Sequence, residues 1–413
     1  MKKKGLLYLS IIIVSFSAFA MNFYFVQTRS YKDAFLFVCH LVDERFYDQS
    51  LELQRWAERC IQQAQKPITD KVQLLRRISD SLSELNVSHL AIYTPQEDKQ
   101  IWQGIAKNTG MQARGIDGHF IVYKIDPESP AKKAGVEKGD EVVAINGKGL
   151  FSAHEVEVSS GLYSILRRQK NLEIHIEPAE IKIDEAPKLI PLSSKMAVLE
   201  ISSFRIEYFD KDLWRDLSQE FSKYQYLIID LRQNLGGSFV AMLRALSSFI
   251  CTPTHTGSLL REGYKEGSHE ILQDNATTAY QLETVYKARK IDLNTFSDYP
   301  CYSKKLALLI DFNTASVSEI FAQAVKESDR ALVLGAASSG QMVMGIWYEM
   351  PMLGPGYSLS IPEANFISKA NYNIEQRGVW PIEILYYDLE LERSGKDTWL
   401  EALNKKAGTT RLF

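Results

Sequence analysis

The chain has 413 residues, 45% of them hydrophobic and 24% charged, which is too long for one ordinary core and suggests about three folded units. A formal net charge of −3 gives no reason to expect a nucleic-acid partner. No tandem repeat at solenoid periods and no long low-complexity tract is visible, which excludes a repeat array and a disordered chain.

The first 20 residues read as an export signal: Lys2 to Lys4 precede an apolar run from Leu6 to Phe19, and Ala18-Phe-Ala20 offers small residues for cleavage after Ala20. A second reading is an uncleaved anchor, because Met21-Asn-Phe-Tyr-Phe25 prolongs the apolar character. Either way the body of the chain is expected outside the cytoplasm, periplasmic or extracellular. Export permits disulfides. The four cysteines allow three pairings, and the local ones, Cys39 with Cys60 and Cys251 with Cys301, are preferred because each closes a short loop. Residues 21–104 read as a helical N-terminal region. Its stretch from Tyr31 to Gln65 forms two helices split near Tyr47-Asp-Gln-Ser50. Ser88 and His89 follow a helical pattern and precede the apolar stretch Leu90-Ala-Ile-Tyr93.

Residues 105–180 change character. Phe120-Ile-Val-Tyr-Lys-Ile125 is a strand. Pro127 to Asp140 gives a short helix ended by Gly135 and a Lys138-Gly-Asp turn, and Glu141-Val-Val-Ala-Ile-Asn-Gly147 is a strand with a turn. This run resembles a PDZ domain. Such modules add an extended peptide as a strand and capture its terminal carboxylate on backbone N–H groups, for which the loop at Gly110 and Met111 is the candidate. The other reading is a spacer that has lost its ligand.

Residues 181–390 alternate strand and helix: a strand from Met196 to Phe204, an amphipathic helix from Tyr208 to Tyr224, and a strand from Tyr226 to Asp230. Strands at Leu306–Asp311 and Ala331–Leu334 follow, as expected of a mixed α/β sheet with crossover helices. The segment from Thr252 to Pro300 is a long link, and residues 391–413 form a C-terminal helix or tail. Asp230-Leu-Arg-Gln-Asn-Leu-Gly-Gly237 ends in paired glycines whose backbone can approach a substrate closely. Asp230 and Arg232 are read as fixing that loop. Thr314-Ala-Ser-Val-Ser-Glu-Ile320 opens a helix whose Val317, Ile320, Phe321, Ala324 and Val325 keep helical spacing. Ser316 therefore stands at a strand-to-helix turn, where an oxyanion can meet free N–H groups. Its bland alternative is a helix N-cap.

Over residues 80 to 385 these motifs resemble the tail-specific C-terminal processing proteases and tricorn-type proteases. The resemblance implies a PDZ-like β-rich module and a mixed α/β, crotonase-like protease core behind the helical N-terminal region. It also implies Ser316 as nucleophile and the N–H groups of Gly237 and Val317 as oxyanion donors. In the tail-specific branch a base lysine lies 25 residues after the nucleophile, where this chain has Gln341, whose amide has no basic nitrogen. The tricorn-type branch uses a Ser-His-Ser-Glu tetrad, which maps onto Ser88, His89, Ser316 and Glu375. Glu375 precedes Gly378-Val-Trp-Pro381, where Ile382 replaces the usual aspartate. His89 would be the base, oriented by Ser88 and Glu375. Taken alone, His89 also reads as a structural histidine and Glu375 as a solvated loop carboxylate. No cofactor or metal is implied, because His154 and His269, each followed by a glutamate, lack a second histidine.

Two functions stand: an exported serine endopeptidase, and a catalytically inactive peptide-binding pseudoprotease. The expected partners are protein or peptide substrates, with binding through their C-termini open. A homo-oligomer is open.

Overall fold

The computed structural model describes residues 31–261, 267–275, 284, 285 and 287–407. The expected signal peptide and anchor segment lie outside the described residues. The chain divides into two compact units: residues up to Pro95 together with Gly345–Glu363, and Gln96–Met344 together with Ala364 onward.

The first unit is built on helices Tyr31–Arg45, Leu51–Ala64 and Lys71–Ser83. Asp70 starts the third by accepting from the Gln73 N–H at 2.8 Å, and Leu74, Ile78 and Leu82 recur every fourth residue to form its buried face. That face joins Phe35, Val38, Leu53 and Trp56 in one core with Leu353, Leu359 and Ile361 from the returning segment. Trp56 is fully buried and donates its indole N–H to the Ser81 carbonyl at 2.7 Å, so the ring is buried with its polar atom satisfied. The Cys39–Cys60 disulfide ties the first two helices, with Cα atoms 5.7 Å apart. A short strand, Ala91–Tyr93, pairs antiparallel with residues 358–360.

In the second unit an antiparallel sheet runs in the order Met111–Ile116, His119–Ile125, Glu141–Ile145, Gly161–Arg167, Lys170–Ile176. Its inner side chains, among them Val122, Val142, Tyr163 and Ile165, close over Val136 and the short helix His154–Val158. This is the expected PDZ-like module. A second sheet has the order Lys188–Pro191, Met196–Glu200, Tyr226–Asp230, Lys305–Ile310, Leu332–Gly335, Glu383–Ile384, and all of its pairs after the first are parallel. Parallel pairing requires crossovers, and helices Lys211–Phe221, Phe239–Ser247 and Val317–Glu327 supply them. They pack through fully buried rings: Phe204, Phe209, Trp214 and Phe221 follow one another at centroid separations of 5.1–5.9 Å.

Two elements are shorter than expected. The strand from Met196 ends at Glu200, and the helix expected from Tyr208 begins at Lys211 after a 3-10 turn at Ile206–Phe209, because Asp210 caps it by accepting from Asp212 N–H at 3.0 Å. The long link from Thr252 forms strands His255–Leu260, Ser268–Ile271 and Ala288–Asn294, and its ends are joined by the Cys251–Cys301 disulfide.

The PDZ-like sheet and the parallel sheet are tied through buried charge. Arg232 holds Asp230 at 2.6 Å and Asp397 at 2.9 Å, and Arg114 of the PDZ-like module holds Glu392 at 2.6 Å with its guanidinium over the rings of Tyr123 and Tyr387. Removing one member of such a network strands buried charge, so Arg232→Ala is expected to cost about 3–5 kcal/mol. Arg76→Ala, which deletes an exposed pair 3.9 Å long, is expected to cost less than about 1 kcal/mol. Thermal melting of the two variants checks this, and equal shifts would contradict it.

Candidate active site

The loop after strand Tyr226–Asp230 is fixed from both sides. Gln233, at a φ of +63°, donates its N–H to Asp311 Oδ1 at 3.0 Å and its amide to Oδ2 at 2.6 Å. Asn234 is fully buried. Its Nδ2 donates to the Ile201 carbonyl at 2.8 Å, its Oδ1 accepts from Gly236 N–H at 2.9 Å, and its carbonyl accepts from Ala315 N–H at 2.9 Å. The last bond lays the glycine pair against the Ser316 turn.

The two glycines do different jobs. A Cβ on Gly236, at a φ of +106°, would lie 2.6 Å from the Ser316 Cβ, whereas one on Gly237, at +141°, would lie 2.5 Å from the Phe204 carbonyl oxygen. The first lets the loop touch the serine, and the second lets it bridge to the neighbouring strand. Among the described residues no acceptor engages the N–H of Gly237 or of Val317.

Ser316 occupies the N-cap position of helix Val317–Glu327 with φ +59° and ψ −132°. This left-handed conformation costs a non-glycine residue on the order of 1–3 kcal/mol, and sharp strand-to-helix turns of this kind can present a nucleophile. The turn is over-determined. Thr314 Oγ1 donates to the Leu231 carbonyl at 2.9 Å and accepts from Asp311 N–H at 3.0 Å, and Ser316 N–H is shared between the Gln341 carbonyl and Glu319 Oε2, both at 3.1 Å. Gln341 thus touches Ser316 through its backbone, while the residue itself is exposed.

Glu319, in the sequence only a member of the Thr314–Ile320 motif, anchors the turn in the structure. It has no exposure, yet its carboxylate accepts from Ser338 Oγ at 2.5 Å, Gly340 N–H at 2.7 Å and Gln341 N–H at 2.9 Å as well as from Ser316. Burial outweighs these donors and pushes its pKa up to about 7. Its spacing of three from an N-cap serine is the capping-box signal that could have found it.

Glu375 is buried rather than a solvated loop carboxylate, and its Oε2 accepts from Met342 N–H at 2.7 Å. Its loop is joined to the segment beside Ser316: Gln376 N–H donates to the Gly340 carbonyl at 2.7 Å, and Val379 N–H donates to Ser338 Oγ at 2.6 Å. Ser316, Glu319, Gln341 and Glu375 therefore belong to one hydrogen-bonded assembly.

Ser88 and His89 belong to the other unit. Ser88 Oγ lies 3.0 Å from His89 Nδ1, and His89 holds a φ of +58°. The Trp347 ring stands edge-on to the imidazole at a centroid distance of 6.4 Å, and a Cβ on Gly345 would lie 3.1 Å from the His89 Cβ. Trp347 and Gly345 carried no sequence signal. Burial lowers the His89 pKa to about 4, so the imidazole is neutral at pH 7.

The carboxylate receptor expected at Gly110 and Met111 needs correction. Both residues are buried, the Gly110 N–H donates to Asn108 Oδ1 at 2.6 Å, and the Met111 N–H donates weakly to Thr109 Oγ1 at 3.4 Å. Ser129 closes the loop: a Cβ on Gly110 would lie 2.0 Å from the Ser129 Cβ. These donors are spent inside the module.

The model of peptidase family S41 matches residues 195–383, and a PDZ domain model matches residues 121–158. The chain is 20% identical to a carboxyl-terminal-processing protease of Synechocystis, over 84% of this chain and 78% of that protein. It is 23% identical to the carboxy-terminal processing protease CtpA of Bacillus subtilis, over 66% of this chain and 54% of that one, and so spans little more than half of that relative. Among solved structures, mature CPAF complexed with lactacystin superposes with a TM-score of 0.59 at 15% identity, over 92% of this chain and 98% of that one, a likeness of fold.

The contact between Gly236 and Ser316 can be probed directly. Gly236→Ala is expected to slow reaction of Ser316 with a fluorophosphonate about a hundredfold, the scale of a 1 Å misplacement, without altering the circular dichroism spectrum. A rate within threefold of wild type would show that the loop does not set the serine.

Proposed function

The chain belongs to peptidase family S41, and we propose that it is an exported serine endopeptidase that cleaves protein or peptide substrates through an acyl-enzyme at Ser316. One observation carries this reading: Ser316 is held in a strained turn at a helix N-terminus, against a glycine loop, with the N–H groups of Val317 and Gly237 unengaged. A serine that only capped a helix would not need that backbone.

In the proposed mechanism Ser316 Oγ attacks the substrate carbonyl while its proton passes to His89 Nε2. The oxyanion is stabilised by the N–H groups of Gly237 and Val317. Collapse expels the amine, which takes the proton from His89, and water then attacks the ester with His89 again as base. The Ser88 contact at Nδ1 favours the tautomer that leaves Nε2 as acceptor. Glu375 is assigned an orienting role, and Gln341 takes no part in proton transfer.

The inactive peptide-binding alternative is not favoured, since a relic would have no use for a strained Ser316. Export is supported by the lysine and apolar pattern before Ala20 and by both disulfides, which fit an oxidising compartment. The geometry at Gly110 and Met111 gives no support to capture of C-termini.

The test is fluorophosphonate labelling at pH 7.5 of the protein from Met21 onward. Wild type and Gln341→Ala are expected to label, and Ser316→Ala and His89→Ala are not; an unlabelled but folded wild type would sink the reading.

The pH dependence has a definite sign. Because the folded His89 pKa lies near 4, below the ordinary value of about 6.5, the base form persists as pH falls. The labelling rate is expected to hold from pH 8 to about 6, with an acid midpoint well below 6.5. A midpoint at 6.5 or above that survives Glu319→Gln would remove His89 as its source.

A further inference from the structure

The parallel sheet ends at Glu383–Ile384, which pairs with Leu332–Gly335 on one side and with no strand among the described residues on the other. Around that edge the chain alternates. Val379, Leu385 and Tyr387 turn inward, the last two packing with Trp399 and Leu403 of helix Thr398–Ala407. Trp380, Ile382, Ile384 and Tyr386 turn outward and are 56%, 59%, 49% and 79% exposed. Single exposed apolar side chains are ordinary, but four at alternate positions of one extended segment make a continuous row. Ile382 sharpens the point, because it stands where the resemblance to the processing proteases sets an aspartate.

The row is not built for an added strand. The strand beneath it is two residues long, and Pro381 carries no N–H, features that block backbone pairing at an edge. It offers side chains instead, and charge is graded along it. Lys326, which donates to the Trp380 carbonyl at 2.9 Å, and exposed Arg377 stand at one end, while exposed Glu383 and Asp388 lie toward the other. A membrane surface, or a partner of single sign, would meet the wrong charge at one end. A second copy turned end for end meets the right charge at both, because a two-fold axis sets each basic end against the other copy's acidic end. With Ile382 on the axis, Trp380 lies against Ile384 of the second copy and Lys326 near its Glu383. Burying these side chains from both copies removes on the order of 1,000 Å² from water, which reaches the lower bound of specific interfaces.

We infer that the row of Trp380, Ile382, Ile384 and Tyr386 is the face through which two copies of this chain associate about a two-fold axis. The association does not depend on Ser316 being catalytic.

The test uses the chain from Met21 onward carrying Ser316→Ala, in sedimentation velocity and light scattering from about 1 to about 100 µM. The unaltered row is expected to give a dimer that dissociates on dilution. Ile382→Asp and Tyr386→Lys, both at exposed positions, are each expected to weaken association at least about tenfold without altering the circular dichroism spectrum. Lys326→Glu alone and Glu383→Lys alone are expected to weaken it several-fold. An equimolar mixture of those two is expected to recover the original constant within about threefold, a rescue that follows from end-for-end pairing. A chain that stays monomeric at about 100 µM would overturn the inference, whether or not it binds anionic vesicles instead. So would a dimer that both apolar variants leave intact. Loss of fluorophosphonate labelling in the native-serine protein, with the dimer intact, would count against the protease reading alone.

Discussion

The strained backbone of Ser316 persists because a buried carboxylate holds it from beneath. Glu319 gathers donors from the serine itself and from Ser338, Gly340 and Gln341, so one side chain joins the helix start to the segment that follows strand Leu332–Gly335. A carboxyl group without solvent is costly unless its lone pairs are filled. Here four donors fill them, and the geometry of the turn keeps them filled. The same segment carries Gly340 and Met342, which bind the loop of Glu375. Strain at the serine, burial of Glu319 and placement of Glu375 are parts of one constraint.

A second constraint fixes the other wall. Asp230 and Arg232 end a strand and begin the glycine loop, and Asp397 from the C-terminal region completes their pairing. Arg114 reaches Asp397 at 3.5 Å from the PDZ-like sheet. The base of the glycine loop, the chain's C-terminal region and the PDZ-like module therefore share one ionic cluster. Its strength depends on every charge having a partner.

Much of this was legible. Parallel strands buried on both faces show as apolar runs, which is why Tyr226–Asp230 and Lys305–Ile310 were found within a residue or two. Ser316 was visible because a motif, a strand and a helical period coincide there. Both disulfides followed from locality. What stayed hidden depended on long-range packing. Glu319 looks like an ordinary helix glutamate until Ser338 and Gly340 arrive from elsewhere in the chain. Gly110 looks like an open turn until Ser129 and Asn108 close it. Trp347 and Gly345 meet His89 only after the chain returns to the first unit, and no local pattern records such a return.

Burial sets what the proposed chemistry asks of its base. His89 is pushed toward neutrality and Glu319 is pushed toward protonation by the same loss of solvent. An imidazole with a pKa near 4 is correctly unprotonated in the resting enzyme, yet it is a poor acceptor for a serine proton. It becomes an adequate one only if its cation is stabilised at the moment the oxyanion forms. A low-dielectric site makes both stabilisations stronger than they would be in water. In the mechanism proposed above, the N–H groups of Gly237 and Val317 are the donors available to the anion.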